Sequence, residues 1–182
     1  MTRSISIGCV LTETDNPTSD HPAAVAGATR WLTPAEGRAW RTFLYGTQRL
    51  FDALDRDLLR DFGIPLAYYD IFVRLSEAPE RSMRMSDLAT ATRSSRSRLS
   101  HAVARLEESG WVRRVDCETD RRGQLAQMTD AGMSLLERAA PVHVESVRRY
   151  LVDPLSADQL QRLGEISRVI YDSIPGGEPL GD

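Results

Sequence analysis

The sequence predicts a mainly α-helical protein with a small β-hairpin wing, on three observations. Long amphipathic stretches bracket the chain, with apolar residues at three- and four-residue steps behind helix-start residues. Between them, two shorter helical patterns meet at a tight Ser94-Ser95 turn. Two short β-type runs then flank a tip rich in Asp, Arg and Gly. Helix, turn, helix and a two-stranded wing make a winged helix-turn-helix, here flanked by long N- and C-terminal helices suited to dimerisation.

Residues 1–30 carry Thr, Ser, Asp, Asn, Pro and Ala without sustained periodicity and read as a disordered or loosely ordered tail. Order is expected from Trp31. Thr33-Pro34-Ala35-Glu36 supplies an N-cap, a proline at the first helical position and a capping-box Glu. Trp40, Phe43, Leu44, Thr47, Leu50, Phe51, Leu54 and Leu58 then mark one long helix ending near Gly63. Pro65 starts a second, with Leu66, Tyr69, Phe72 and Leu75 on one face, which stops before Pro79. Ser86-Asp87-Leu88-Ala89 opens a short helix, and Arg96 to Ser109 forms the next, which Gly110 ends. Trp111–Val115 and Gln124–Met128 are the wing strands around Asp116–Gly123. Thr129-Asp130-Ala131 caps a further long helix through Leu151, in which Pro141 is expected to place a kink. Ser156-Ala157-Asp158-Gln159 is a second capping box, opening a helix that ends before Pro175. The organisation is therefore 31–63 and 141–175 as a helical dimerisation region, 64–140 as the winged lobe with the start of the connecting helix, and 176–182 as a flexible C-terminus.

Composition narrows the function classes. The net charge is −3, so the chain is no uniformly basic coat for nucleic acid. All 23 basic residues are arginine, and Arg93, Arg96, Arg98 and Arg105 occur in one stretch without an acid. A basic face on an acidic body is the footprint of a sequence-specific DNA binder. Two distant cysteines, Cys9 and Cys117, give neither a disulfide framework nor a zinc pattern. His21, His101 and His143 are too scattered for a metal site, and no cofactor is expected. There is no phosphate-binding Gly-rich loop, nucleophile elbow or Cys-His-acid grouping, so an enzyme is not expected. Without an apolar run of spanning length, the expected location is the cytoplasm, away from membranes.

A helical wheel places Leu99, Ala102, Val103 and Leu106 on one face of the second helix of the pair. Ser97, Ser100, His101 and Ala104 point the other way, with Arg96, Arg98 and Arg105 on the flanks. Short hydroxyls let a helix sit deep in the major groove, while Arg and His reach base edges and phosphates. The terminal helices carry more apolar surface than a small winged lobe can cover. The simplest cover is a second copy, whose two-fold symmetry matches a palindromic operator.

The segments "RLEESGWV", "DRRG" and "MTDAG", at these distances, closely resemble the MarR (multiple antibiotic resistance regulator) family from about Trp31 to Ile174. The resemblance implies an obligate homodimer with intertwined terminal helices on double-stranded DNA. It implies that Asp120 pairs with Arg122 to brace the wing tip in the minor groove, and that Arg121 meets phosphate or the narrow groove. It also implies that ligands enter between the dimer and DNA-binding lobes. Trp40, Arg41, Phe43, Tyr68, Tyr69 and His143 lie on the helices that line that pocket and suit a planar aromatic or phenolic acid. The resulting expectation is a transcriptional regulator, a repressor, released from its operator by such a ligand. Two alternatives stand beside it: a ligand-independent winged-helix dimer that organises DNA or binds a protein, and a cysteine redox sensor acting through Cys117.

Overall fold

The computed structural model of the chain describes residues 29–117 and 120–175, and side chains outside 117–123. Six α-helices and a three-stranded sheet follow in the order α1 (Pro34–Phe62), α2 (Leu66–Glu77), β1 (Ser82–Arg84), α3 (Met85–Ala91), α4 (Arg96–Glu108), β2 (Val112–Cys117), β3 (Asp120–Met128), α5 (Asp130–Val147) and α6 (Ala157–Ser173). The helix boundaries come from local chemistry. Thr33 and Glu36 close the capping box of α1, and Gly63 ends the helix in the left-handed region at φ 69°. Ser156 and Gln159 form the same box at α6. Gly110, at φ 73°, ends α4 in a Schellman turn: its N–H bonds the Glu107 carbonyl while the Trp111 N–H bonds that of Leu106.

The sheet is antiparallel in the order β1-β3-β2. Strand β1 is an addition to the expected hairpin, and it pairs Ser82, Met83 and Arg84 with Gln127, Ala126 and Leu125. The wing strands also run further toward the tip than the expected Val115 and Gln124 ends. Helix α5 passes Pro141 with its helical pattern unbroken, and the irregularity falls later, in a π-helical segment at Arg148–Val152. The two ranges assigned to tails, 1–28 and 176–182, lie outside the described residues.

One core holds the winged lobe. Phe72, Leu75, Leu88, Leu99, Val103, Leu106, Val112 and Ala126 are all buried within it, so α2, α3, α4 and the sheet share a single apolar centre. Helix α1 joins through its C-terminal half, where Ala53, Leu54 and Leu58 are buried. There the Ser146 hydroxyl of α5 donates to the buried Asp57 carboxylate at 2.8 Å. The first half of α1 and most of α6 stand clear; Tyr171 of α6 touches the lobe, with the Arg93 guanidinium 5.2 Å from its ring centroid. Trp40, Phe43, Phe51, Ile166, Val169 and Ile170 are exposed, and α6 buries no residue.

The wing is seated on α5 by one close approach. Thr129 donates its N–H to the Trp111 carbonyl at 3.0 Å and accepts from the Gly132 N–H at 3.1 Å. This brings Gly132 against Trp111, so that an added Cβ would collide with the Trp111 carbonyl oxygen and lie 2.9 Å from Met128 Cγ. Gly132→Ala is expected to destabilise the fold by roughly 1–3 kcal/mol through overpacking. Urea unfolding checks this, and an unchanged midpoint would show that the wing can shift off α5 freely.

Candidate nucleic-acid interface

Helix α4 is amphipathic in a way that commits one face. Leu99, Val103 and Leu106 are buried in the core. Ser97, Ser100 and His101 point the opposite way with Arg96, Arg98 and Arg105 on the flanks, and all six are exposed. Ser95 caps the helix by accepting from the Arg98 N–H at 3.2 Å. The chain enters α4 through Arg93 in the left-handed region, at φ 50°. The six α4 residues singled out from sequence therefore share one solvent-facing surface. Arg105 also pairs with Glu108 at 3.2 Å, an exposed contact of small weight. Ala104 departs from expectation: it is half-buried and lines a groove toward α2.

The wing carries its basic residues at both ends. Asp120, Arg121 and Arg122 open β3 at the tip, where Cys117 pairs with Asp120, and their side chains lie outside the described set, as does that of Cys117. At the base, Arg113 and Arg114 alternate across the sheet. Arg113 Nε donates to Gln127 Oε1 at 2.9 Å, and Arg114 Nη2 donates to the Ser100 carbonyl of α4 at 2.8 Å. Neither is among the contacts expected from the sequence. The available signal was the "VRRV" alternation, which sends successive residues to opposite faces.

The six expected effector residues do not form one site within a protomer. Trp40 and Phe43 face each other with ring centroids 6.4 Å apart on the exposed half of α1, and Arg41 is exposed beside them. Trp40 lies about 25 Å along the helix axis from Asp57, the residue that ties α1 to α5. Tyr69 and His143 instead meet between α2 and α5, with ring centroids 4.5 Å apart. Burial pushes the Tyr69 phenol above its ordinary value and the His143 imidazole below its own, so both rings are neutral near pH 7. Tyr68 faces a third place. It lines an open groove of about 540 Å³ between α2 and α4, together with Ile71, Arg98, His101, Arg105 and Glu108. An aromatic ring and two guanidinium groups there make a setting for a planar anion.

Comparison with known proteins decides the family. A model described as the MarR family matches residues 62–123, which run from the end of α1 to the wing. Sco3205, a MarR family transcriptional regulator from Streptomyces coelicolor solved in complex with DNA, is 47% identical, with 82% of this chain and 95% of that one covered at a TM-score of 0.77. This chain belongs to the MarR family. AbsC, another MarR family regulator of Streptomyces coelicolor, is 46% identical over 79% of this chain and 97% of its own, at a TM-score of 0.74. The regulator PecS of Dickeya dadantii (strain 3937) is 36% identical over 78 residues, which span only 46% of PecS. In this MarR-family protein the matched segment holds the helix pair, the wing base and the wing tip.

Among the described residues no helix is long and apolar enough to cross a membrane, and no His, Cys, Asp and Glu group could hold a metal ion. The neutral, half-buried state of His143 has a consequence for acid stability. Its folded pKa is lowered, so the unfolded chain takes up the proton first as pH falls. The contribution is present above about pH 6.5 and is lost as pH drops toward the folded value. His143→Phe keeps a flat ring against Tyr69 and removes the titration. Its stability should fall less than wild type between pH 8 and pH 5 in urea unfolding. Equal losses in both proteins would place His143 in water.

Proposed function

We propose that this MarR-family regulator binds double-stranded DNA as a homodimer at a palindromic operator, represses transcription there, and is released by a small aromatic or phenolic acid. The observation that carries the DNA reading is the exposed face of α4, with three arginines, two serines and a histidine over a fully buried apolar back. A helix held so firmly by its core can enter the major groove at a fixed depth, with serines at its closest approach and arginines on base edges and phosphates. Arg121, Arg122 and Asp120 fit the wing contact that accompanies it.

The homodimer reading rests on apolar surface left uncovered by the protomer. Val169 is 70% exposed in the middle of a helix, and Ile166 and Trp40 are exposed with it. Interfaces of the obligate kind bury on the order of 2,000–5,000 Å². Two copies joined through α1 and α6 set two α4 helices toward successive major grooves, and such a dimer on a promoter blocks access by its bulk. The effector reading rests on the groove of Tyr68, Arg98, His101 and Arg105, where an aromatic carboxylate can stack and pair while it occupies residues that also face DNA.

Three measurements check these statements. An inverted-repeat duplex selected from a random pool should bind the full chain, and Arg98→Ala should weaken that binding by about 1–3 kcal/mol with the fold unchanged. Equal affinity of wild type and variant would remove Arg98 from the interface. Sedimentation should show a dimer at micromolar concentration, and Val169→Asp should shift it toward monomer; a wild-type monomer would overturn the assembly. Titration with a hydroxybenzoate should reduce operator affinity, with a typical coupling of about 1–3 kcal/mol. No change with any small aromatic acid would favour the ligand-independent dimer.

A further inference from the structure

We propose that Arg114 is the positioning residue that locks the recognition helix α4 to the wing, and so sets the angle at which both meet DNA; this rests on the DNA-binding reading above. Arg114 stands on β2 opposite Ala126 of β3, on the sheet face that turns toward the helices. Its backbone N–H donates to Glu107 Oε1 at 3.0 Å, and its Nη1 lies 3.8 Å from Glu107 Oε2. Its Nη2 donates to the Ser100 carbonyl at 2.8 Å and reaches Ser100 Oγ at 3.4 Å. Ser100 and Glu107 are two helical turns apart, about 10 Å along the axis. A single residue of the wing therefore grips α4 at its middle and near its end.

The covalent link between the same two elements is a turn through Gly110 at φ 73°, a residue with wide backbone freedom. That turn holds the chain by hydrogen bonds as far as Trp111, and Val112 and Ala126 seat the wing base in the core shared with α4. The Arg114 contacts close the loop into a ring of helix, turn, strand and side chain. The Arg114 side chain is 26% exposed, with its Nε buried and without a hydrogen-bond partner, so the guanidinium is held by its Nη contacts: Nη2 bonds Ser100 at the exposed edge of the joint, and Nη1 faces Glu107. Arg contributes what Lys cannot here: a planar fork with donors directed at two separate acceptors. With Nη2 spent on the helix backbone, Arg114 acts through α4 rather than by touching DNA.

Fixed geometry matters most for sequence discrimination. Base-edge contacts need helix and wing in register at once, whereas phosphate attraction tolerates a looser fit. The test measures the full chain by fluorescence anisotropy on two probes over a salt series. One is the inverted-repeat duplex selected with wild type, and the other is a scrambled duplex of the same length and composition. Arg114→Met should lose about tenfold or more on the selected duplex and under about twofold on the scrambled one, with the salt slope unchanged. Arg114→Lys should restore only part of the discrimination. If Arg114→Met folds poorly, Glu107→Ala removes one grip and should lower discrimination in the same direction. Equal loss on both probes, with a salt slope shallower by about one, would make Arg114 a phosphate contact and overturn the proposal. A lowered thermal midpoint with discrimination intact would make it a fold residue only and would also overturn it. Wild type that selects no duplex over scrambled DNA would instead bring down the DNA-binding reading, and the proposal with it.

Discussion

The hydrogen bond between Ser146 and Asp57 is the constraint on which the architecture depends. It joins the second half of α1 to the far end of α5, and Asp57 is only 2% exposed. Burial alone would push that carboxyl up. Hydrogen bonds from Ser146, Tyr150 and Arg60, with the Arg60 charge beside it, outweigh burial and hold it below the ordinary carboxylate range. A buried charge satisfied this way fixes helix register, because removing either partner leaves a polar group stranded. Past this point the chain departs from regular helix at Arg148–Val152 and leads into α6. The apolar surfaces of α1 and α6 are thus carried on a framework anchored at one polar joint.

From that joint the winged lobe is organised by its core and by two seats. Leu99, Val103 and Leu106 press α4 onto α2 and α3, which fixes how far its outer face stands from the lobe. Thr129 and Gly132 bring the wing base against the start of α5 with no room for a Cβ. The α5 helix is therefore continuous with the wing at one end and with the Asp57 joint at the other. In the proposed dimer, α5 would be the element that connects the α1–α5 joint to the wing base.

Much of this was legible in the residues. Capping boxes at Thr33-Glu36 and Ser156-Gln159 and the glycines at 63 and 110 set helix ends by local hydrogen bonding and φ alone, so they read directly. The outward face of α4 followed from a period of 3.6. Strand β1 was not legible, because three residues are too few for an alternation and its pairing partner lies over forty residues away. Pro141 lies exposed within α5, whose helical assignment runs through it, and the irregular turn comes later, at Arg148–Val152. The effector residues could not be grouped, since helix membership says nothing of which turn meets which. Tyr68 and Tyr69 are adjacent in sequence and face different places.

That separation bears on how an effector could act. A ligand between Tyr69 and His143 would enter a packed, neutral contact and gain nothing from charge, so its binding would have to repay lost packing. A ligand in the groove beside Tyr68 meets Arg98 and Arg105, and these are residues on the face proposed for DNA. Occupancy there and operator binding then exclude each other directly, with no need for a distant conformational change. Exclusion of this kind makes release depend on ligand concentration relative to its affinity for the free dimer, whereas a conformational switch is bounded by the differential affinity for two shapes. Arg98 and Arg105 in that groove favour the first route for an anion, because guanidinium groups that can meet a phosphate backbone can also meet an aromatic carboxylate.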